Sequence, residues 1–366
     1  MTLFESTMRS IISVTFLMVV LYLPFNTLAQ QGQPLSATLS LKAIEGLFQQ
    51  QQFSDVIKAI ESIPESQRTQ EHYRFLTYSL STDDLDEAEE AAQRAIARFP
   101  NDPDVYLVHA SIMGQQASDS IFSAFGYAKQ ALASLNKAVS LAPNKTEYRI
   151  ALLSFHINAP SIAGGDRDEA LKQVQMIQAL DPIEGVINLA WYHRSFDNPG
   201  LAKEVLLAAN QDFPKNINIL NALATNAVHS ENYIEAIEFY KQVTDIQLVR
   251  PINDEQSVMQ RFDEALYRQL NAHYQIGRSA LVGNVMLDEG VTHMRQYMET
   301  IQNTEVVGAL DTSGLPSIQW AKLRLSGLLL ANSQADAANK MFQQVVLDKN
   351  DSNMKTVFDK MKAKLD

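Results

Sequence analysis

The histidines are the residues whose type could most readily support chemistry in this sequence. The 7 histidines are scattered along the chain, and no two stand three or four residues apart, the spacing at which one helix presents two ligands to a metal. Without such a pair, packing is the expected role of these imidazoles. The sequence predicts no metal and no cofactor.

Gly164-Gly165-Asp166 is the segment closest to a phosphate-binding loop. It has neither the G-x-G-x-x-G nor the G-x-x-x-x-G-K-S/T spacing, and no strand pattern precedes it. We interpret it as a structural turn in which the glycines allow a tight backbone path and Asp166 caps the next helix. The acidic segment 83–90 lacks the alternating ligands and central glycine of a calcium loop, and acidic residues are expected at the start of a helix.

Composition and motifs argue against catalysis and against nucleic acid. The chain has 0 cysteines, which excludes disulfides, thiolate metal sites and cysteine nucleophiles. It contains neither G-x-S-x-G nor H-E-x-x-H. Its 42 acidic and 30 basic residues give a net charge of -12, which repels phosphate backbones. We expect a protein that is not an enzyme and does not bind nucleic acid.

Residues 1–29 have the order of a secretory signal peptide. Arg9 precedes the apolar run Ile11–Phe25, and Thr27 and Ala29 occupy the small-x-small positions of a cleavage site. The run is shorter than the roughly 20 residues that span a bilayer, and no later segment approaches that length. We predict cleavage after Ala29 and a periplasmic or secreted chain; an uncleaved anchor and a buried first helix are the alternatives.

Alanine and proline recur at fixed distances beyond this segment. A small residue lets two helices cross closely, and proline ends a helix, so the period predicts stacked helix pairs. Ala236 follows Ala202 by 34 residues, and Ala337 fits the same slot further on. The segments with alanine twelve residues before proline are Ala88–Pro100, Ala131–Pro143, Ala170–Pro182 and Ala202–Pro214.

These segments resemble the tetratricopeptide repeat, a 34-residue helix-turn-helix unit. Leu189-Ala190 and Leu223-Ala224 are similar to the small-residue crossing of its first helix, and the alanine and proline positions match its second. The resemblance covers five units and is poor over 250–316. It implies an all-α fold, a right-handed superhelical array of helix pairs called an α-solenoid.

Two insertions, near 114–127 and 159–166, distinguish the chain from a regular array. In the first, we expect Ser118-Asp119-Ser120 to cap a lengthened second helix that runs through Phe125. The second is a Pro-x-Ile-x-Gly-Gly loop. The pairing is similar to a group of secreted bacterial tetratricopeptide proteins whose role is not established.

The predicted organisation is a signal peptide at 1–29, repeats at 36–249 and divergent helical repeats at 250–366. An open array must cover its last apolar surface, which predicts a capping helix at the end. The predicted elements outside the regular repeats are an atypical first repeat at 36–63, a helical pair at 254–301 with Gly277 and Gly283 between its helices, a loop at 303–316, a last repeat at 320–347 and the cap at 351–365.

The resemblance also implies where a partner binds, because the first helices of stacked units line a concave face that suits an extended peptide or a partner helix. Amide, arginine and aromatic side chains on one surface are typical of peptide binding. The alternative interpretation is that about half of the candidates are merely solvated helix positions, because the assigned register can be wrong by one residue. The candidate residues are Tyr73, Thr77, Glu147, Ser154, Glu184, Trp191, Arg194, Asn218, Asn221 and Thr225.

Three functions follow from these observations. The favoured one is an exported scaffold that binds a protein or peptide partner on its concave face. The second is a structural or self-associating envelope component. The third is a small-molecule binder or enzyme that uses the 160–166 loop. The residues name neither the partner nor the oligomeric state.

Export can be checked on the protein made in its own cell. We expect mass spectrometry of the exported chain to give an N-terminus at Gln30, because Thr27 and Ala29 form the cleavage site. A chain in the membrane fraction that still begins at Met1 or Met8 would contradict cleavage.

Overall fold

The computed structural model describes residues 39–119, 123–251, 256–308, 310–312, 314–348 and 351–365. Within these ranges the chain forms helices and no strand, so the predicted all-α architecture of helix pairs is confirmed. None of the helices described is both long and apolar enough to cross a membrane. The predicted signal peptide lies outside the described residues.

The chain divides into two compact units, one up to Asn188 and one from Leu189. In the first unit consecutive helices pack on one another as hairpins, and short 3-10 turns at Glu65–Gln67 and Ser161–Ala163 join some of them. Its helices are α1 (Leu41–Gln49), α2 (Phe53–Glu61), α3 (Gln70–Leu80), α4 (Leu85–Arg98), α5 (Pro103–Asp119), α6 (Ala124–Leu141), α7 (Thr146–Asn158) and α8 (Arg167–Leu180), followed by α9 (Pro182–Ser195), in which the division falls.

The second unit continues with the same hairpin packing. Its long helix α13 contacts α11, α12, α14 and α16, and so organises the apolar core of this unit. Its helices are α10 (Pro199–Asp212), α11 (Ile217–His229), α12 (Tyr233–Thr244), α13 (Gln256–Gly283), α14 (Leu287–Gln302), α15 (Thr304–Val307), α16 (Ile318–Ala331), α17 (Ala335–Phe342) and α18 (Ser352–Leu365).

The recurring alanines lie at the helix crossings, as predicted. Each of them is fully buried, which leaves no space for a larger side chain. Near the C-terminus the fully buried alanine is Ala338 and Ala337 is half-buried, so the predicted crossing position at Ala337 is wrong by one residue. The fully buried alanines of the regular units are Ala88, Ala131, Ala170, Ala202 and Ala236.

Six of the turns between paired helices share one backbone conformation, whereas the α3–α4 turn at 81–84 contains no residue with positive φ. Shortly after the first helix ends, a residue adopts a positive φ, and the next N–H donates to the carbonyl five residues before it at 2.8–3.1 Å. This is the hydrogen bond of a Schellman motif, which satisfies a carbonyl at the helix end. The residues with positive φ in these turns are Gln51, Gly164, Asp197, Glu231, Asn284 and Ser333.

Three local predictions need correction. Ser118 and Asp119 belong to the end of α5, and the next helix begins at Ala124. The prediction that these two residues cap the following helix is therefore wrong. Residues 120–122 lie outside the described ranges. Gly277 lies inside α13, where a Cβ would stand 3.2 Å from the Gly290 carbonyl oxygen of α14, so it marks a close helix contact and not a turn. The predicted loop 303–316 contains the short helix α15.

A bulky residue at a crossing should destabilise the protein. We expect Ala236→Leu to lower the free energy of unfolding by about 1–3 kcal/mol, because inserted methylenes overpack a closed core. Chemical denaturation followed by circular dichroism measures this. Ala335→Leu is the control, since Ala335 is exposed in α17. Equal midpoints for the two variants would contradict the crossing role.

Candidate partner-binding surface

Three candidate residues of the first unit are buried in its interior. Tyr73, Thr77 and Ser154 are no more than 2% exposed. The Tyr73 hydroxyl donates to Glu65 Oε1 at 3.0 Å, and burial together with this carboxylate raises the pKa of Tyr73. These side chains help to hold the unit together, and we leave them out of the proposed surface.

Glu147 and Glu184 are half-buried and lie in the first turns of α7 and α9. Carboxylates are stabilised there by the helix dipole. Glu147 also lies 3.9 Å from the Lys145 ammonium, and the carbonyl of Glu184 accepts a hydrogen bond from Asn188 Nδ2 at 2.8 Å. Helix formation therefore explains why both carboxylates stand at these positions, so neither residue is evidence of partner binding.

The remaining five candidates lie in the second unit and are half-buried. Trp191 and Arg194 stand one turn apart on α9, and Asn218, Asn221 and Thr225 follow one another by about a turn on α11. We call these five residues the α9–α11 patch.

Tyr240 of α12 links the two halves of the patch. Its hydroxyl forms a hydrogen bond with Thr225 and lies close enough to the Arg194 guanidinium for an electrostatic interaction. Burial raises the pKa of Tyr240, which keeps the hydroxyl neutral. Tyr240 lies on a second helix of a pair, outside the first helices that supplied the sequence-predicted candidates.

Arg194 is a cation without an acidic counterpart in the described part of the chain. Burial lowers its pKa, no carboxylate contributes to that shift, and none of the described acidic groups lies within ion-pair distance. A guanidinium nonetheless keeps its charge at neutral pH. A partly desolvated positive charge is therefore available on this surface.

Two amide oxygens of α11 are unsatisfied. Asn221 Oδ1 and Asn226 Oδ1 are buried and accept no hydrogen bond in the structure. The Thr225 hydroxyl donates to the Asn221 carbonyl at 2.8 Å, and Asn226 Nδ2 donates to the Pro199 carbonyl at 3.2 Å. Most buried polar atoms have a partner, so these two oxygens are exceptions within α11.

The 160–166 loop is a structural turn, as predicted. Gly164 has a φ of 101°, and a Cβ on Gly165 would lie 1.7 Å from the Ala159 carbonyl oxygen. Asp166 caps α8, since its Oδ1 accepts from the N–H groups of Asp168 and Glu169 at 2.8 and 3.0 Å. The glycines are required by backbone geometry alone.

A small apolar cavity lies beside this loop, with a volume of about 40 Å³. Asn158 supplies the only polar side chain among its lining residues. Such a cavity offers no acid, base or nucleophile, so the loop gives no support to the enzyme hypothesis. The lining residues are Gly114, Ala117, Ala124, Phe125, Ala128, Ala131, Phe155, Asn158, Ala159, Pro160 and Ala163.

The fold is similar to that of a solved protein, yeast Tom70. The TM-score is 0.58 at 15% sequence identity, and the match covers 98% of this chain and 69% of Tom70. The chain has a tetratricopeptide-repeat fold. At this identity the likeness concerns the fold and says nothing of the partner.

Looser structural likenesses involve two bacterial proteins. PilW, a type IV pilus biogenesis factor, gives a TM-score of 0.40 at 14% identity, with 68% of this chain and 97% of PilW covered. A tetratricopeptide repeat protein from Parabacteroides merdae gives 0.37 at 14% identity, with 80% and 98% covered. No protein-family model matches the sequence of this chain, and no curated protein matches it.

The unpaired state of Arg194 can be tested through stability. We expect Arg194→Met to leave the free energy of unfolding unchanged or to raise it by about 0.5–2 kcal/mol, because the charge is desolvated without a compensating carboxylate. Denaturant midpoints measure the change.

The matched control is Arg149→Met. Arg149 is buried, but its Nε donates to the Pro143 carbonyl at 2.9 Å and its Nη1 to Gln173 Oε1 at 3.2 Å. Loss of these bonds should lower the free energy of unfolding by about 1–3 kcal/mol. A loss of that size for Arg194→Met would mean that Arg194 is structural.

Proposed function

We propose that this protein is an exported, non-catalytic scaffold that binds a polypeptide segment carrying a carboxylate on the α9–α11 patch. The observation that carries the proposal is the half-buried Arg194, which has no acidic neighbour in the described residues and lies close to Tyr240, the residue that bonds to Thr225 of the same patch.

The chemistry of the patch is complementary to a peptide. A guanidinium binds a carboxylate through two parallel hydrogen bonds, and the side-chain amide nitrogen of the half-buried Asn221 can donate to a backbone carbonyl. Trp191 offers an indole ring, and aromatic and arginine side chains dominate the energy of many interfaces. The net charge of -12 repels polyanions at long range, which favours a segment with a single carboxylate in otherwise neutral surroundings.

The fold supports an interaction role as well. Stacked helix pairs present an extended surface and contact only their neighbours, so side chains on the surface can change without loss of the array. The basic, apolar and small-residue order of residues 1–29 supports export to the periplasm or beyond.

Binding by the patch can be tested by selecting peptides from a display library on the wild-type chain and then measuring their affinity for variants. Peptides enriched on the wild-type chain should contain an acidic residue or a free C-terminal carboxylate. We expect Trp191→Ala and Asn221→Ala each to weaken the selected peptide roughly tenfold or more, measured by fluorescence anisotropy, while circular dichroism stays unchanged. Asn339→Ala, at an exposed position of α17, is the control.

Several outcomes would count against this function. Trp191→Ala that unfolds the protein without a separable binding defect would place Trp191 in the core. Enrichment of peptides without any carboxylate would exclude the role given to Arg194. Retention of only a second copy of the chain from periplasmic extract would favour the self-associating component instead.

A further inference from the structure

A tryptophan and an arginine side chain stack on one another on α16, in the second unit. Trp320 and Arg324 stand one turn apart, and the Arg324 Cζ atom lies 5.2 Å from the centroid of the indole ring. The Trp320 Nε1 donates to Asp351 Oδ2 at 2.8 Å, which fixes the ring on which the guanidinium stacks. Trp320 and Arg324 are both half-buried. Arg324 is therefore held in place on an aromatic surface.

The neighbouring helix α13 adds a buried tyrosine and a second arginine. The Tyr274 hydroxyl of α13 forms a hydrogen bond with Arg324 of α16. Arg278 stands one turn after Tyr274 on the same face of α13 and is exposed. Two guanidinium groups from two packed helices therefore flank one tyrosine. We call Tyr274, Arg278, Trp320 and Arg324 the α13–α16 cluster.

Neither arginine of the cluster lies at ion-pair distance from a carboxylate of the residues that the structure describes. Arg278 Nη1 donates to Gln275 Oε1 at 3.4 Å, and the buried Arg324 Nε has no hydrogen-bond partner. Asp351 is occupied by other donors, because its Oδ1 accepts from the Met354 N–H at 2.8 Å and its Oδ2 from the indole. Like charges that share one neighbour repel each other, and a bound anion offsets that repulsion.

The cluster repeats the chemistry of the α9–α11 patch. The chain has 2 tryptophans, and an arginine follows each of them by about one turn, on α9 and on α16. In both places a buried tyrosine of another helix lies at the arginine, Tyr240 at Arg194 and Tyr274 at Arg324. Arg278 also lies close enough to Tyr240 for an electrostatic interaction, so the two surfaces are continuous.

We propose that the α13–α16 cluster is a second binding site, which holds the carboxylate of another polypeptide segment beside the one on the α9–α11 patch. The class of partner rests on the proposed function, whereas the site is built from other residues. Arg278 and Arg324 donate to the carboxylate oxygens. Because a guanidinium only donates, the Tyr274 hydroxyl accepts from Arg324 and keeps its own proton to donate to the ligand.

The chemistry of the cluster favours a carboxylate over larger anions. Arginine binds a carboxylate through parallel hydrogen bonds, and stacking on an aromatic ring orients its planar group for this contact. The net charge of -12 opposes the approach of polyanions, so a segment with one carboxylate among neutral residues is the better ligand.

Peptide selection on an Arg194→Met chain tests the site, because this variant removes the cation of the α9–α11 patch. We expect a display library to yield peptides that carry a carboxylate. Arg278→Met and Arg324→Met, each added to this chain, should weaken these peptides at least tenfold by fluorescence anisotropy. Arg295→Met is the matched control, because Arg295 is exposed on α14, and it should leave the affinity unchanged.

The fluorescence of Trp320 guards against variants that fail to fold. In a Trp191→Phe chain Trp320 is the only tryptophan left, so its emission reports on the cluster. A saturating amount of the selected peptide should shift this emission, and Arg278→Met, at an exposed position, should abolish the shift. Unchanged emission would overturn the proposal. So would peptides without a carboxylate, or peptides that bind both arginine variants as before.

The outcomes separate this site from the α9–α11 patch. If Arg194→Met releases the peptides selected on the wild-type chain and itself yields none, the patch stands and the second site is overturned. If Arg278→Met releases those peptides and Arg194→Met does not, the second site stands and the patch fails.

Discussion

The close approach of neighbouring helices is the constraint on which the rest of this structure depends. Fully buried alanines such as Ala88, Ala202 and Ala236 allow that approach in the regular hairpins. In the divergent part the same task falls to Gly277 and Gly290, which meet where α13 crosses α14. Because helix backbones come so near one another at these points, side chains one turn away are brought to defined distances.

Much of the fold could be predicted because this constraint leaves a mark on sequence. Alanine must recur at each crossing, and proline stands where α4, α6 and α10 have ended, as Pro100, Pro143 and Pro214 show. The cap of α8 by Asp166 was predictable for a similar reason, since a cap acts within three residues. Where a crossing uses glycine inside a helix, as at Gly277, the sequence signal is the same as that of a turn.

The candidate surface was predictable only in part, because exposure depends on contacts that are distant in sequence. Tyr73 and Trp191 both occupy positions expected on a first helix, yet Tyr73 is buried against Phe99 while Trp191 is half-buried. Two contacts join residues of different helices. Tyr240 of α12 bonds to Thr225 of α11, and His273 Nδ1 of α13 lies 2.8 Å from His293 Nδ1 of α14. No local pattern records such contacts.

The hairpin turns carry a further consequence. Apart from Gly164, the residues with positive φ that close them have side chains, among them Gln51, Glu231 and Ser333. A side chain in this conformation costs about 1 kcal/mol relative to glycine. Each hairpin with such a turn therefore opens locally more easily than its packing alone requires. The stability of such an array is a sum over neighbouring units. A single exchange between glycine and another residue at one of these turn positions therefore raises or lowers the stability of one hairpin, and the packing residues of both helices stay the same.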